Sequence, residues 1–439
     1  MQRVIRRIGA LVGALAVAIM VFVVAASLDL GVLPLAVMAL AAFLVSGYAL
    51  LRFSLRFDTS PAVQGDRRVP VWRWLVGGAA AYAMAAQLLV GTAPSHDVVA
   101  PTPTPDTKFW TLGNGSRIAY EVAPATGASR HAPIVVLHDG PGMPVLPFLH
   151  ALGKRPLDFV RDDGYDVYYY DQLGAGLSGR IDLTAAPPYT VARHVADLEE
   201  IRRTLNVPKM VLFGTGWGAT LAVDYLAEHA EHVEKLILES PVAVWAPAWP
   251  DQISPTARAK MTDVQASALA ALQRPPLRLV LGRMMADFSP RAAHTFIADW
   301  EGDQWWTKTT EESIRLGQPN YTCHTDPGQG IPVPSGLGFF ANSYTLADAV
   351  RRPDIRPTLA KIPTSALILR GTCDYTDWRV STEYLRLLSG AHYVAIPAAG
   401  HFIWLEQESM FAEVVRAYLR GEALPLEAYD PAHRMPLPR

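Results

Sequence analysis

Phe213-Gly214-Thr215-Gly216-Trp217-Gly218 is the stretch on which the reading of this 439-residue chain turns. The apolar run Lys209–Phe213 reads as a buried parallel strand, and Ala219–Leu226 reads as the helix that leaves it. Small residues stand at the first and last positions of a G-x-S-x-G pattern, in which a strand turns sharply into a helix and exposes its third residue as a nucleophile. That third residue here is Gly216. It has no hydroxyl, so no acyl-enzyme forms at this position.

Working outward, Phe109–Leu112 and Arg117–Val122 flank the turn Gly113-Asn114-Gly115 and read as a hairpin. Strands and helices then alternate. Pro133–Leu137, Asp166–Tyr170 and Val233–Glu239 are strand-like, while Met143–Val160 and Val191–Leu205 are helical. The alternation stops near Pro241 and resumes with the strand Ser365–Arg370, a helix over Val380–Leu388, the strand Ala391–Pro397 and a helix over Phe402–Leu419. Such alternation predicts an α/β fold, a mostly parallel sheet with helices on both faces. The tryptophan-rich stretch between its halves lacks strand signals and reads as an inserted cap. The expected division is an anchor over 1–92, a linker over 93–107, and a first core half over 108–241. A cap over 242–359, a second core half over 360–420 and a tail over 421–439 follow.

The anchor is read from Ile8–Leu28, Leu30–Leu51 and Trp74–Thr92, each long enough to cross a bilayer and free of charged side chains apart from Asp29 between the first two. Arg3, Arg6 and Arg7 precede the first segment, and Arg52, Arg56, Arg67, Arg68 and Arg73 lie in or beside the loop before the third. By the positive-inside rule the N-terminus is cytoplasmic, and three crossings place the rest of the chain outside the cytoplasm, a multi-pass cell-membrane topology. Pro94, Pro101, Pro103 and Pro105 make the linker stiff and extended. A net charge of −2 gives no reason to invoke nucleic acid. No metal constellation or phosphate-binding glycine loop is present, so no metal or other cofactor is implied. Cys323 and Cys373 are too few for a disulfide framework; two unpaired thiols are the expectation, with a single bridge as the alternative.

Ligands bind at the carboxyl ends of the strands of an open parallel sheet. Those ends here carry His138-Asp139-Gly140-Pro141-Gly142, Asp171-Gln172-Leu173-Gly174-Ala175-Gly176-Leu177-Ser178, the turn at Gly216, Gly371-Thr372-Cys373-Asp374 and Gly400-His401. The set resembles the α/β-hydrolase fold and, within it, the prolyl aminopeptidase family, which carries H-G-G-P-G, D-Q-x-G-x-G-x-S and G-x-S-W-G in this order. The resemblance runs from about Phe109 to Leu419. It implies that Asp374 is the triad acid and His401 the triad base. Trp217 and Gly140, with its neighbour Asp139, match the donors of the oxyanion hole. Trp300-Glu301-Gly302 resembles a W-E-G segment of the cap whose carboxylate is associated with a substrate amine, which makes Glu301 and Trp300 candidate substrate-binding residues.

Two departures from the family set the question: Gly216 for serine and Asp139 for glycine. Thr215 is not a substitute nucleophile, because the turn exposes position three and points its neighbour away. A carboxylate at Asp139 facing the pocket would repel a developing oxyanion; its alternative is to point into its own loop. Three readings remain open. The first is a membrane-tethered hydrolase of small peptides, amides or esters that has lost its serine. The second is a cofactor-free His401/Asp374 acid–base enzyme, a lyase or cyclase. The third is a non-catalytic pocket-binding protein. The partners expected are a small-molecule or short-peptide substrate and the lipid bilayer.

Overall fold

The structure is a computed structural model that describes residues 2–28, 30, 32–56, 71–90, 100–183, 188–250, 252, 262–272, 274–315, 322–323 and 331–429. Its described residues form two compact units. One comprises those of 1–96, 182–187 and 275–302; the other comprises those of 97–181, 188–274 and 303–439.

The first unit is helical. Gln2–Val24, Val32–Arg56 and Val71–Val90 are long helices, joined by the shorter Leu277–Ala286 and Pro290–Phe296. Small residues let the long helices approach: Ala14, Ala18 and Ala39 are buried, and Phe43 stacks on Tyr82 with ring centroids 5.7 Å apart. Ile5, Ile8, Val12, Met20, Leu33, Val37 and Val45 remain exposed. A helix with an apolar outer surface suits hydrocarbon rather than water. Among the described residues two segments have the length and hydropathy to cross a membrane, Ile5–Leu28 and Leu33–Ser54, rather than the three expected. The third expected span falls on the helix Val71–Val90. Its middle is glycine, alanine and tyrosine over Gly77–Tyr82 rather than leucine or valine, and residues 91 and 92 lie outside the described residues. So do 57–70 and 93–99, with much of the basic loop and the linker.

The second unit carries an eight-stranded sheet. Its strands are β1 (Lys108–Thr111), β2 (Arg117–Ala123), β3 (Ile134–Leu137), β4 (Val167–Tyr170), β5 (Met210–Thr215), β6 (Val233–Glu239), β7 (Ser365–Gly371) and β8 (Gly390–Ile396). They lie in the order β1-β2-β4-β3-β5-β6-β7-β8, antiparallel at β1/β2 and β2/β4 and parallel elsewhere. Strands covered on both faces need no polar alternation. Every residue of β3 and β5 is accordingly buried. Phe213 on β5 packs edge-on against Phe411, with centroids 6.1 Å apart, so the middle of the sheet is fixed to the last helix.

Amphipathic patterning located the helix Val191–Leu205, which Thr190 caps by accepting from Arg193 N at 3.1 Å. Two expected helices are broken. Met143–Val160 is helical only over Leu146–Leu152, with a 3-10 turn at Asp158–Arg161. Gly153 ends the helix in the left-handed region at φ 66°, and Pro156 follows before a new turn begins. Phe402–Leu419 is two helices, Ile403–Glu406 and Glu408–Arg420, separated at Gln407. Between β6 and β7 the described residues contain helices and no strand.

Cys323 and Cys373 are bridged, with Cα atoms 5.1 Å apart, so the expectation of free thiols was wrong. Sequence spacing gave no sign of it, because the two lie 50 residues apart. Glu406 accepts from Cys323 N at 2.9 Å and from Gly400 N at 2.7 Å, which ties the same segment to the loop before His401.

Candidate active site

The parallel strands bring the carboxyl ends of β3, β5, β6 and β7 to one edge of the sheet. Gly216 is the residue between β5 and the helix Trp217–Glu228, with φ 53° and ψ −114°. The turn is tight enough that a Cβ on Gly218 would stand 1.9 Å from Leu137 O. Thr215 points away, donating through Oγ1 to Glu239 Oε2 at 2.8 Å.

His401 is wholly buried, and its Nδ1 lies 3.0 Å from Asp374 Oδ1. Asp374 is held in turn by Thr376, whose N and Oγ1 donate to Oδ1 and Oδ2 at 3.1 and 2.9 Å. Arg370 braces the loop by donating to the carbonyls of Gly371, Asp374 and Thr376. Ser240 Oγ donates to His401 O at 2.7 Å. The structure thus assembles Asp374 and His401 from two loops 27 residues apart.

Asp139 answers the question that the sequence left open. Its Oδ1 accepts from Gly140 N at 2.8 Å and from Trp217 N at 2.9 Å, and its Oδ2 lies 3.4 Å from His401 Nε2. The carboxylate therefore faces the turn, not its own loop alone. A Cβ on Gly216 would fall 2.1 Å from Asp139 Oδ1 and 2.5 Å from its Cγ. The two departures from the family pattern are one arrangement: the missing side chain at 216 is the space that the Asp139 carboxylate fills. Both backbone donors expected to hold an oxyanion already hold this carboxylate.

Three charges share one site, in which His401 and Asp374 are buried and Asp139 is partly exposed. Burial alone would push His401 down, but Asp374 on one side and Asp139 on the other raise it to about 10. Burial opposes ionisation of Asp374 as well, yet His401, Arg370 and the Thr376 amide hold it at about 2. Asp139 is likewise held below the ordinary carboxylate value against burial, by His401 and by the Trp217 and Gly140 amides. At neutral pH the site is carboxylate, imidazolium, carboxylate.

Sequence reasoning missed two supporting groups. His138 Nε2 accepts from Gln172 N at 2.8 Å, which leaves the proton on Nδ1 for Asp139 O at 2.7 Å. Burial lowers His138 to about 4, so it is a neutral brace. Gln172 continues the brace, donating to His138 O and accepting from Trp217 Nε1 at 3.1 Å each. Glu239 lies under the turn; its Oε1 accepts from Ile403 N at 2.9 Å, its backbone O accepts from Gly216 N at 3.0 Å, and burial raises its carboxyl to about 7. Only its position at the end of an apolar strand could have marked it.

Glu301, on the helix Asp299–Arg315, is buried in the first unit and pairs with Arg278 Nε at 2.5 Å; Trp300 precedes it on the same helix. Beside the turn, a largely apolar cavity of about 690 Å³, its open mouth included, is lined by Asp139 with Phe148, Leu149, Phe213, Phe402 and Trp404 among others. Among the described residues no group of His, Cys, Asp and Glu could hold a metal ion.

This sheet order, with a sharp turn after its fifth strand, defines an α/β-hydrolase fold. The model of the α/β hydrolase fold family matches residues 133–408, and the chain belongs to that family, on its prolyl aminopeptidase-like side. It is similar to a proline iminopeptidase of Lactobacillus delbrueckii subsp. bulgaricus, 26% identical over 314 residues that cover 71% of this chain and 97% of the relative. Among solved structures it is similar to an esterase of Exiguobacterium antarcticum, at 18% identity and a TM-score of 0.47, covering 71% of this chain and 99% of the esterase. A proline iminopeptidase of Mycobacterium smegmatis matches at 17% identity and a TM-score of 0.44, covering 72% and 98% of the two chains.

Proposed function

We propose that the chain is a membrane-anchored enzyme that transforms small, largely apolar substrates by proton transfer through His401, without a serine acyl-enzyme. One observation carries this reading: His401 stands between two carboxylates, 3.0 Å from Asp374 and 3.4 Å from Asp139. An imidazolium so held is a general acid, and once it has given up its proton it is a general base. Asp374 fixes the ring through Nδ1, and Nε2 faces Asp139 at the turn.

The chemistry of a serine peptidase or esterase fits these residues poorly. Gly216 offers no oxygen to attack a carbonyl, and Asp139 Oδ1 has already taken the Trp217 and Gly140 amides. A carbonyl oxygen becoming an oxyanion would meet a negative charge where it needs donors. Glu301 is not assigned to substrate, because Arg278 already neutralises it.

The apolar N-terminal helices support attachment to a bilayer, and Arg3, Arg6 and Arg7 support a cytoplasmic N-terminus. A Cys323–Cys373 bridge suits an oxidising compartment, so we place the sheet-bearing unit outside the cytoplasm, which with a cytoplasmic N-terminus requires the helix Val71–Val90 to cross the bilayer as well.

The reading is tested by turnover of the full chain in detergent on a panel of lipophilic esters, lactones and epoxides, wild type against His401→Ala. A loss of about 10²–10⁴-fold in the variant, with the fold retained by circular dichroism, is expected. Equal activity of the two proteins would sink it.

A further inference from the structure

We propose that the helical unit holds one acyl chain of a membrane phospholipid, in a cavity between its long N-terminal helices and the helices Leu277–Ala286 and Pro290–Phe296. This goes beyond the His401 chemistry and rests only on the reading that the N-terminal helices lie in a bilayer.

The cavity has a volume of about 650 Å³, its open mouth included. Its long walls come from Ile19 and Phe22 on Gln2–Val24, Ala36 and Ala39 on Val32–Arg56, and Tyr82 and Ala86 on Val71–Val90. Leu277, Leu281 and Phe296 line it from the two shorter helices. Phe22 meets Phe296 edge-on with ring centroids 5.6 Å apart, which joins the long helices to the short ones beside it. All of these residues belong to one compact unit.

The walls select the chemistry of the occupant. Tyr82 carries the polar side-chain atom of the lining, and its hydroxyl already donates to Ala36 O at 3.1 Å. Water therefore finds no partners there, and an apolar cavity of this kind stays dry. Left empty, it would forfeit dispersion contacts along its whole lining in an otherwise close-packed interior. A hydrocarbon chain restores those contacts. The volume lies within the roughly 300–1,000 Å³ of pockets that take small ligands, which suits one chain and not a whole two-chain lipid.

The position names the source. Ile19 and Phe22 lie in the second half of their helix, Ala36 and Ala39 near the start of theirs, and Tyr82 and Ala86 in the second half of theirs. Each is the end away from Arg3, Arg6 and Arg7 or from the basic loop. With the N-terminus cytoplasmic, the cavity falls in the outer leaflet, among phospholipid chains. Leu15 and Leu277 line it and are themselves 36% and 56% exposed, so its mouth is apolar. Met284 and Phe288, which follow Leu277 in the chain, are exposed too, a surface that suits surrounding hydrocarbon. A free fatty acid fits less well, because its carboxylate calls for a cation. Arg278, whose guanidinium lies 4.5 Å from the centre of the Phe296 ring, is already paired with Glu301.

Photolabelling tests this. The full-length protein is placed in nanodiscs of phosphatidylcholine that carries a diazirine near the end of one acyl chain, then irradiated and digested. Mass spectrometry locates the labelled residues. Label is expected on Phe22, Leu281 and Phe296 as well as on Val37 and Val45, which are exposed. A39W and L281W fill the cavity from two walls. With helical content retained by circular dichroism, each should lose the label at Phe22 and Phe296 and keep it at Val45. Wild-type label confined to the exposed residues would overturn the proposal while leaving the helices in the bilayer. Label at Phe22 and Phe296 that survives in both folded variants would overturn it as well. No label on any N-terminal helix would remove the bilayer reading along with it. The matching diazirine fatty acid, supplied instead to plain nanodiscs, should label the cavity residues more weakly; stronger labelling would overturn a phospholipid as the occupant.

Discussion

Asp139 Oδ1 lies where a side chain on Gly216 would begin, and the two residues cannot both present a side-chain oxygen to this turn. Restoring serine at 216 alone therefore does not restore a serine enzyme. G216S is expected to lose about 1–3 kcal/mol of stability through overpacking against the Asp139 carboxylate. It should remain inert towards proline β-naphthylamide and short-acyl esters. The check is a double-mutant cycle with D139G, read by denaturant unfolding. G216S/D139G should be more stable than the sum of the single changes by about 0.5–3 kcal/mol, the range for residues in direct contact. Strict additivity would mean that the two positions do not compete.

The Cys323–Cys373 bridge joins a distant segment to the residue before Asp374. Opening it by C323S should cost about 2–4 kcal/mol, in line with disulfides that close loops of this length. Thermal unfolding with and without reductant measures it: reductant should lower the wild-type midpoint to that of C323S and leave C323S unchanged.

Glu239 supplies a pH dependence of definite sign. Its carboxyl is raised by burial from about 4.5 to about 7. A raised acid favours the native state while it is protonated, so its stabilisation is full below the unfolded value and fades as pH rises through the folded one. E239Q keeps an acceptor for Ile403 N and removes the ionisation. Wild type and E239Q should converge near pH 4, and E239Q should be the more stable above pH 7. Midpoints of thermal unfolding measured from pH 4 to 9 decide this; parallel curves would mean that Glu239 does not titrate in this range.

Placement of the sheet-bearing unit outside the cytoplasm is checked in intact cells. An impermeant protease added externally should digest it while a cytoplasmic marker survives, and thiol reagents should not label Cys323 or Cys373 before reduction. Protection from the protease together with immediate labelling would put the unit on the reducing side.

The sheet was legible because its parallel strands are continuous apolar runs: Ile134–Leu137 and Met210–Phe213 have no other reading at that length. The loops at the strand ends were legible because glycines and polar residues interrupt those runs at Gly140, Gly216 and Gly371. Helix ends were less so, as at Gly153 and Gln407, where a local turn competes with amphipathic patterning. The bridge was hidden because contact between residues 323 and 373 is a tertiary fact. Most of the chemistry was hidden for a similar reason. Sequence shows a glycine at 216 and an aspartate at 139 as two separate departures, 77 positions apart. Only the crossing of the β3 loop over the β5 turn makes them one exchange.

The most direct measurement is the protonation state of the His401 ring, by nitrogen-15 NMR of wild type and D139N across pH. Flanked by Asp374 and Asp139, the ring should carry protons on both nitrogens from acid through neutral pH and lose one only near pH 10. Removing the Asp139 charge should shift that loss to lower pH. A wild-type ring that is neutral at pH 7, or one that titrates identically in D139N, would contradict a His401 held charged between two carboxylates.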